Sequence, residues 1–111
     1  DLTIASIGNV APDTHLYAAG MATDDELQAA REAGAKGVFC CRYIGEDGKE
    51  VMLPPHDRLI AATVADVQSA KRRFLAVCGE DRDEATLAAL RAGLATHLCV
   101  DQYLAKFLLN A

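Results

Sequence analysis

The sequence is short of positive charge. Eleven Lys and Arg stand against sixteen Asp and Glu, for a formal net charge of −5. A protein that grips nucleic acid by itself normally shows a basic face, so this balance argues against an autonomous nucleic-acid binder. The one basic cluster, Lys71-Arg72-Arg73, is short and reads as a solvated helix end. No leader-type segment or long apolar run is present, so nothing points to a membrane or to export. The four cysteines, Cys40, Cys41, Cys78 and Cys99, form no C-x-x-C pair. A zinc site wants closer ligand pairing, so they read as small buried hydrophobes of a reducing cytoplasm. There is no Walker motif, no G-x-G-x-x-G and no G-x-S-x-G elbow. No metal and no cofactor is therefore expected, and the catalytic case is thin. Internal repeats, low-complexity tracts and linkers are also missing.

What is there suits one α/β domain. The 111 residues are 51% apolar, enough for a modest core without staples. Residues 2–7 read as a short strand ending at Gly8-Asn9, a turn where an α/β sheet usually meets its ligand. Thr23-Asp24-Asp25-Glu26 has capping-box spacing and predicts a helix to about Ala33, stopped by Gly34. Residues 36–44 hold an unbroken apolar run, Val38 to Cys41, and read as one strand covered on both faces. Asp47-Gly48 predicts a hairpin turn with a short return strand over 49–52. Residues 59–63 are a further strand candidate, and 64–70 a short helix. From Arg73 the cadence is strand (73–78), helix (81–92), strand (96–100) and a final helix capped by Asp101. That order predicts a right-handed parallel crossover, and with it a mostly parallel sheet flanked by helices.

Two arginines stand out by position. Arg42 sits in the apolar run, where a charge is costly unless partnered. It pairs with Asp57 or Asp101, or it faces an anion; Arg58 is open to either role. Arg82 opens a helix, whose free amides and positive dipole end already favour an anion. A cation there adds to an anion site and not to helix stability. The plain alternative is neutralisation at the surface by Asp81, Asp83 and Glu84, which is worth little. Gly8 lets a backbone approach closely, and Asn9 offers a donor and an acceptor. His15, His56 and His97 show no metal-like spacing. His97 reads as a core histidine, and His56, in the loop after Pro54-Pro55, as a candidate ligand contact.

Taken in order, Ile-Ala-Ser-Ile-Gly-Asn, Thr-Asp-Asp-Glu-Leu, Cys-Cys-Arg-Tyr, Glu-Asp-Gly-Lys, Asp-Arg-Leu-Ile, Val-Cys-Gly and Val-Asp-Gln form a pattern over essentially the whole chain. It resembles the SorC-type sugar-binding transcriptional regulators, a bacterial group allied to the DeoR type. The resemblance implies an α/β fold similar to sugar-phosphate isomerases and CoA transferases. It implies an effector, a phosphorylated sugar or polyol, that alters how an N-terminal helix-turn-helix grips DNA. It further implies a homo-oligomer, and that residues 1–111 are the C-terminal part of the effector-sensing domain. The DNA-binding region is then absent, and DNA is a partner only through it.

On this resemblance the family's loop after the opening strand falls on Gly8 and Asn9. Its cysteine–glycine–arginine motif falls on Cys40, Cys41 and Arg42, with Cys41 replacing glycine. A lysine that opens the helix after the Gly79 turn falls on Arg82, where arginine keeps the charge and adds a planar fork suited to phosphate. A sugar-contacting acid falls on Val38, which cannot accept a hydroxyl. The expected ligand-binding residues are thus Gly8, Asn9, Cys40, Arg42 and Arg82, with no catalytic residue. The alternative, an isomerase- or deaminase-like enzyme, lacks the acid–base residues it needs.

Overall fold

In chain order the structure, a computed structural model describing residues 1–111, runs β1 (Leu2–Ala5), α1 (His15–Ala18), α2 (Asp24–Glu32), β2 (Ala35–Phe39), β3 (Arg42–Gly45), β4 (Glu50–Val51), α3 (Val64–Ser69), β5 (Arg72–Val77), α4 (Asp83–Arg91), β6 (His97–Val100) and α5 (Gln102–Leu109). Single 3-10 turns lie at His56–Arg58 and Glu80–Arg82. The fold is α/β, with a three-stranded parallel sheet, order β1-β5-β6, flanked by helices. The β5-α4-β6 unit is the parallel crossover that the cadence predicts. Small residues on one side of α4 and at its end, Ala85, Ala88, Ala89 and Ala92, let the helix lie close on β2 and share a core with Leu75 and Val77 of β5. Leu104 of α5, Leu94, Ile7 and Val67 join that core, as do Phe39 of β2 and Ile44 of β3.

The second sheet differs from the sequence expectation. Residues 36–44 are two antiparallel strands, β2 and β3, and not one strand. Phe39 pairs with Arg42, so Cys40-Cys41 form a two-residue turn with φ of 49° and 63°. Positive φ at both central positions is the hairpin geometry that ordinarily selects Asn-Gly. Two cysteines do not announce it, which is why the apolar run reads as continuous. The Asp47-Gly48 hairpin forms as expected and returns as β4. Its Gly48 has φ +83° and no room for a Cβ, which would lie 2.6 Å from the Arg91 carbonyl carbon.

Beneath this sheet α2 buries Leu27 and Ala30 against Tyr43, Ala35, Leu16 and Val10. Its capping box is complete: Glu26 N donates to Thr23 Oγ1 at 3.2 Å, and Thr23 N donates to Glu26 Oε1 at 2.9 Å. Residues 59–63 are not a strand; they form an exposed loop after the cis Pro54-Pro55 bond. The basic cluster is not a solvated helix end: Arg72 and Arg73 open β5, and half-buried Arg73 turns its Nη1 back to the Ala70 and Gln68 carbonyls after α3. Cys40, Cys78 and Cys99 are exposed and Cys41 half-buried, contrary to their reading as core residues. His97 is exposed as well.

Candidate ligand site at the carboxyl edge of the parallel sheet

Two loops leave the carboxyl ends of adjacent parallel strands, 6–9 after β1 and 78–82 after β5, and they are stitched together. Asn9 Nδ2 donates to Asp81 Oδ2 at 2.9 Å and to the Asp81 carbonyl at 3.3 Å. Asn9 Oδ1 accepts from Ala11 N at 3.2 Å. Gly8 exchanges both backbone hydrogen bonds with Val38, at 2.9 and 2.8 Å, and so joins the two sheets. Its missing Cβ would meet only the Val38 carbonyl, at 3.9 Å, so the protein itself does not crowd this glycine. Gly79 is different: φ is +116° and a Cβ would lie 2.8 Å from Asp81 Oδ1.

Asp101 holds this edge from the end of β6. One oxygen accepts from Leu104 N at 2.9 Å and the other from Gly79 N at 2.8 Å. Those amides, Leu104 first and then Gly79, hold its carboxyl below the ordinary value. The cap was legible in the sequence; the bond to Gly79 was not, because the two residues meet only across the sheet.

Arg82 stands between the two loops. Its Nη1 reaches the Ile7 carbonyl at 3.3 Å, a long contact, and its Nε is buried without any partner. No carboxylate is paired with it; Asp81 is engaged by Asn9, and Asp83 accepts from its neighbour Glu84 N at 2.6 Å and from Tyr103 at 3.2 Å. The surface-neutralisation reading of Arg82 therefore fails. Asp81 does not cap α4 either, since the helix begins without a side-chain cap. A guanidinium with an orphaned buried donor, at a helix start beside two strand ends, is an incomplete hydrogen-bonding set.

A hollow of about 340 Å³ opens at Asn9 and Asp81, lined also by Val10, Arg31, Lys36 and the acids Asp83 and Glu84. Lys36 enters by a bulge: Ala35 pairs with Gly45 but Gly37 with Ile44, leaving Lys36 as the extra residue. Bulges re-aim side chains in this way, and no local sequence signal gives that shift. Lys36 Nζ lies 3.3 Å from Glu84 Oε2. A larger hollow, about 790 Å³, opens between the β3–β4 hairpin and the ends of α2 and α4. It is lined by the ends of both helices and by Glu46, Asp47 and Glu50 together with Lys49 and Arg91.

Of the expected ligand residues only Asn9 lines either hollow; Gly8, Cys40, Arg42 and Arg82 line neither. Arg42 is buried and its guanidinium is engaged: Nε donates to the Ala62 carbonyl at 2.9 Å, Nη2 to Ala61 at 3.1 Å, and Nη1 to Glu50 Oε2 at 3.3 Å. The ion-pair partner is thus Glu50, and not Asp57 or Asp101. His56 Nδ1 lies 2.8 Å from the same Glu50 oxygen, so this histidine belongs to the clamp that holds loop 59–63. Arg58 is bidentate to Glu26, at 2.9 and 3.0 Å. Gly8, Asn9 and Arg82 come together; Cys40 and Arg42 belong to the second sheet, and no hollow is shared by the two arginines.

Known proteins share the family and the fold of this chain. The family model "Putative sugar-binding domain" matches residues 1–110. The chain is 33% identical over 103 residues to the uncharacterized transcriptional regulator YjhU of Escherichia coli (strain K12), covering 93% of this chain and 31% of that one. A transcriptional regulator of Streptococcus pneumoniae TIGR4 superposes with a TM-score of 0.84 at 26% identity, over 99% of this chain and 42% of that one. The sorbitol operon regulator SorC of Klebsiella pneumoniae shares the fold, with a TM-score of 0.87 at 20% identity over 98% of this chain and 35% of that one. So does a DeoR family regulator of Listeria monocytogenes, at 0.90 and 19% over 97% and 44%. The chain spans about a third of the length of the curated relative that it matches.

Proposed function

Because the chain belongs to the sugar-binding domain family of SorC- and DeoR-type transcriptional regulators, we propose that its sheet edge holds a phosphorylated sugar or polyol. Residues 1–111 are then the C-terminal part of an effector-sensing domain in a cytoplasmic regulator. DNA is gripped by a separate region, and the effector acts by favouring one of two arrangements of the whole. The single observation that carries this reading is the orphaned Arg82 guanidinium at the carboxyl edge of the parallel sheet. Arg82 supplies the charged fork for phosphate oxygens. Gly8, with no side chain, leaves room for the ligand to come close to the strand end, and Asn9, already fixed by Asp81, orients the hydroxyl-bearing end. This is a binding module and not a catalyst; its relatives are named as regulators. Homo-oligomerisation of the parent regulator is part of the same reading, and sedimentation checks it.

The test is a thermal-shift screen of phosphorylated sugars and polyols against their unphosphorylated counterparts. A specific ligand at a hundredfold excess over Kd stabilises the fold by about 2.7 kcal/mol, several degrees in Tm for a domain of this size. Arg82→Ala is expected to weaken binding by roughly 1.5–3 kcal/mol, the value of a charge-assisted contact. Unliganded stability should change by no more than about 1 kcal/mol. If no phosphorylated compound shifts Tm, or if Arg82→Ala binds as tightly as the parent sequence, the assignment is lost. Turnover of a sugar phosphate would move the protein to the enzyme class.

A further inference from the structure

The only residues other than glycine with a positive φ are Cys40, at 49°, and its neighbour Cys41, at 63°. A left-handed backbone strains any side chain, and such strain persists where the side chain is needed. Asparagine and glycine build this turn at less cost. Both flanks of the turn are fixed. Phe39 and Arg42 pair across it, Phe39 is buried with Leu75, and the Arg42 guanidinium is held by Ala61, Ala62 and Glu50. Cys40 is exposed, and half-buried Cys41 packs beside the Tyr43 core. Two thiols thus stand side by side at the tip of a rigid hairpin.

Their spacing and acidity choose the ligand. Consecutive Cα atoms lie about 3.8 Å apart, short of the roughly 4.4–6.8 Å of a relaxed disulfide. Joining the two sulfurs directly therefore pulls the turn out of shape. An atom set between them lengthens the link, and turning χ1 of each side chain reaches it with the backbone left in place. Structural zinc takes four ligands, and the pair belongs to no group of three His, Cys, Asp or Glu side chains able to hold a metal ion. Burial first, and then the adjacent Cys41, push the Cys40 thiol above the ordinary 9.0, against a smaller pull from Arg42. Zinc has to displace the thiol protons, so this rise opposes it. A trivalent arsenical, R–As(OH)2, does not meet that obstacle. Two S–H and two As–OH bonds break, two As–S bonds and two waters form, no proton is released and no electron changes hands. Two sulfurs and the organic group fill the three positions of the arsenic. We infer that the Cys40–Cys41 turn is a dithiol site that chelates a monosubstituted trivalent arsenical, one per chain. The site makes no use of Arg82, which carries the sugar-phosphate reading.

The probe is phenylarsine oxide, titrated into the reduced 111-residue chain and followed by intact mass and by Tm. One equivalent should bind; a small dithiol should strip it, and an excess of a monothiol should not. Cys41→Gly removes one sulfur and relieves the left-handed backbone, so Tm of the free chain should hold or rise. Its affinity for the probe should fall at least about a hundredfold, because the second sulfur no longer binds as an intramolecular partner. Cys40→Asn should behave in the same way. Cys78→Ser/Cys99→Ser should bind as the parent sequence does. Undiminished binding by Cys41→Gly, or loss of binding in Cys78→Ser/Cys99→Ser, overturns the inference. So does release as easy by monothiol as by dithiol. Zinc held in preference to the arsenical would make the pair a metal centre, and rapid closure of a Cys40–Cys41 disulfide in air would make it a redox switch; either result overturns the inference as well.

Discussion

The two arginines that look alike in the sequence do opposite work. Arg42 spends its guanidinium on two carbonyls and Glu50, whereas Arg82 has one long contact and an orphaned Nε. Arg42 is a clamp: it ties β3 to the loop after the cis-proline, with Glu50 shared by His56. Glu50→Ala leaves Arg42 buried beside two carbonyls with no carboxylate, so unfolding in urea should show a loss of about 3 kcal/mol. Glu50→Gln keeps an acceptor and should cost less; equal losses would deny the charge pairing. The sequence shows that each arginine is placed expensively, because both sit where a lone charge is unfavourable. It does not show the partner. Glu50 is eight positions from Arg42 and meets it only because the β3–β4 hairpin folds back. Lys36 is hidden for a similar reason, since a bulge has no composition of its own.

At the scale of elements, local rules were most readable where both partners lie within one turn. The Thr23–Glu26 box and the Asp101 cap form as their spacing requires. A second box joins Thr63 and Asp66, with Asp66 N donating to Thr63 Oγ1 at 3.0 Å and Thr63 N to Asp66 Oδ2 at 3.1 Å. The β2–β3 hairpin was unreadable because its turn is built of Cys40 and Cys41 rather than turn formers. These caps also set the response to acid. Arg58, then the Thr23 amide, holds Glu26 below its ordinary 4.5. The Thr63 amide does the same for Asp66, and the Leu104 and Gly79 amides for Asp101, below 3.8. Folded values below unfolded ones mean that the stabilisation is fully present above 3.8–4.5 and is lost as pH falls through the folded values. Calorimetry should find Tm nearly level from about pH 7 to about pH 5 and falling below about pH 4. Glu26→Gln should reduce that fall, and an unchanged acid slope would remove Glu26 from the account.

For the molecule as a whole, the α/β class and the β5-α4-β6 crossover follow from alternating apolar runs and glycine stops, which local sequence does encode. The division into two sheets does not, because it depends on how residues far apart in the chain share volume. There are two cores, one around Leu75 that also takes Phe39 and Ile44 from the antiparallel sheet, and one around Tyr43 on that sheet's other side. They meet at β2. Gly8 pairs with Val38 there, and Gly37 lies under Ile7 and α4 with no room to spare. A Cβ on Gly37 would sit 2.8 Å from Ile7 Cδ1 and 3.0 Å from Ala85 Cβ. Ile7 can turn, but Ala85 is fixed on its helix, so Gly37→Ala must push α4 off β2. Overpacking of this kind costs about 1–3 kcal/mol. Because the strand serves both cores, the loss should appear in one cooperative transition followed by Tyr43 and by helix signal alike. Two separated transitions in the parent sequence would mean that the sheets fold independently. The ligand edge, whose Gly8 belongs to one sheet and whose Val38 to the other, would then lack the rigid frame that the effector reading requires.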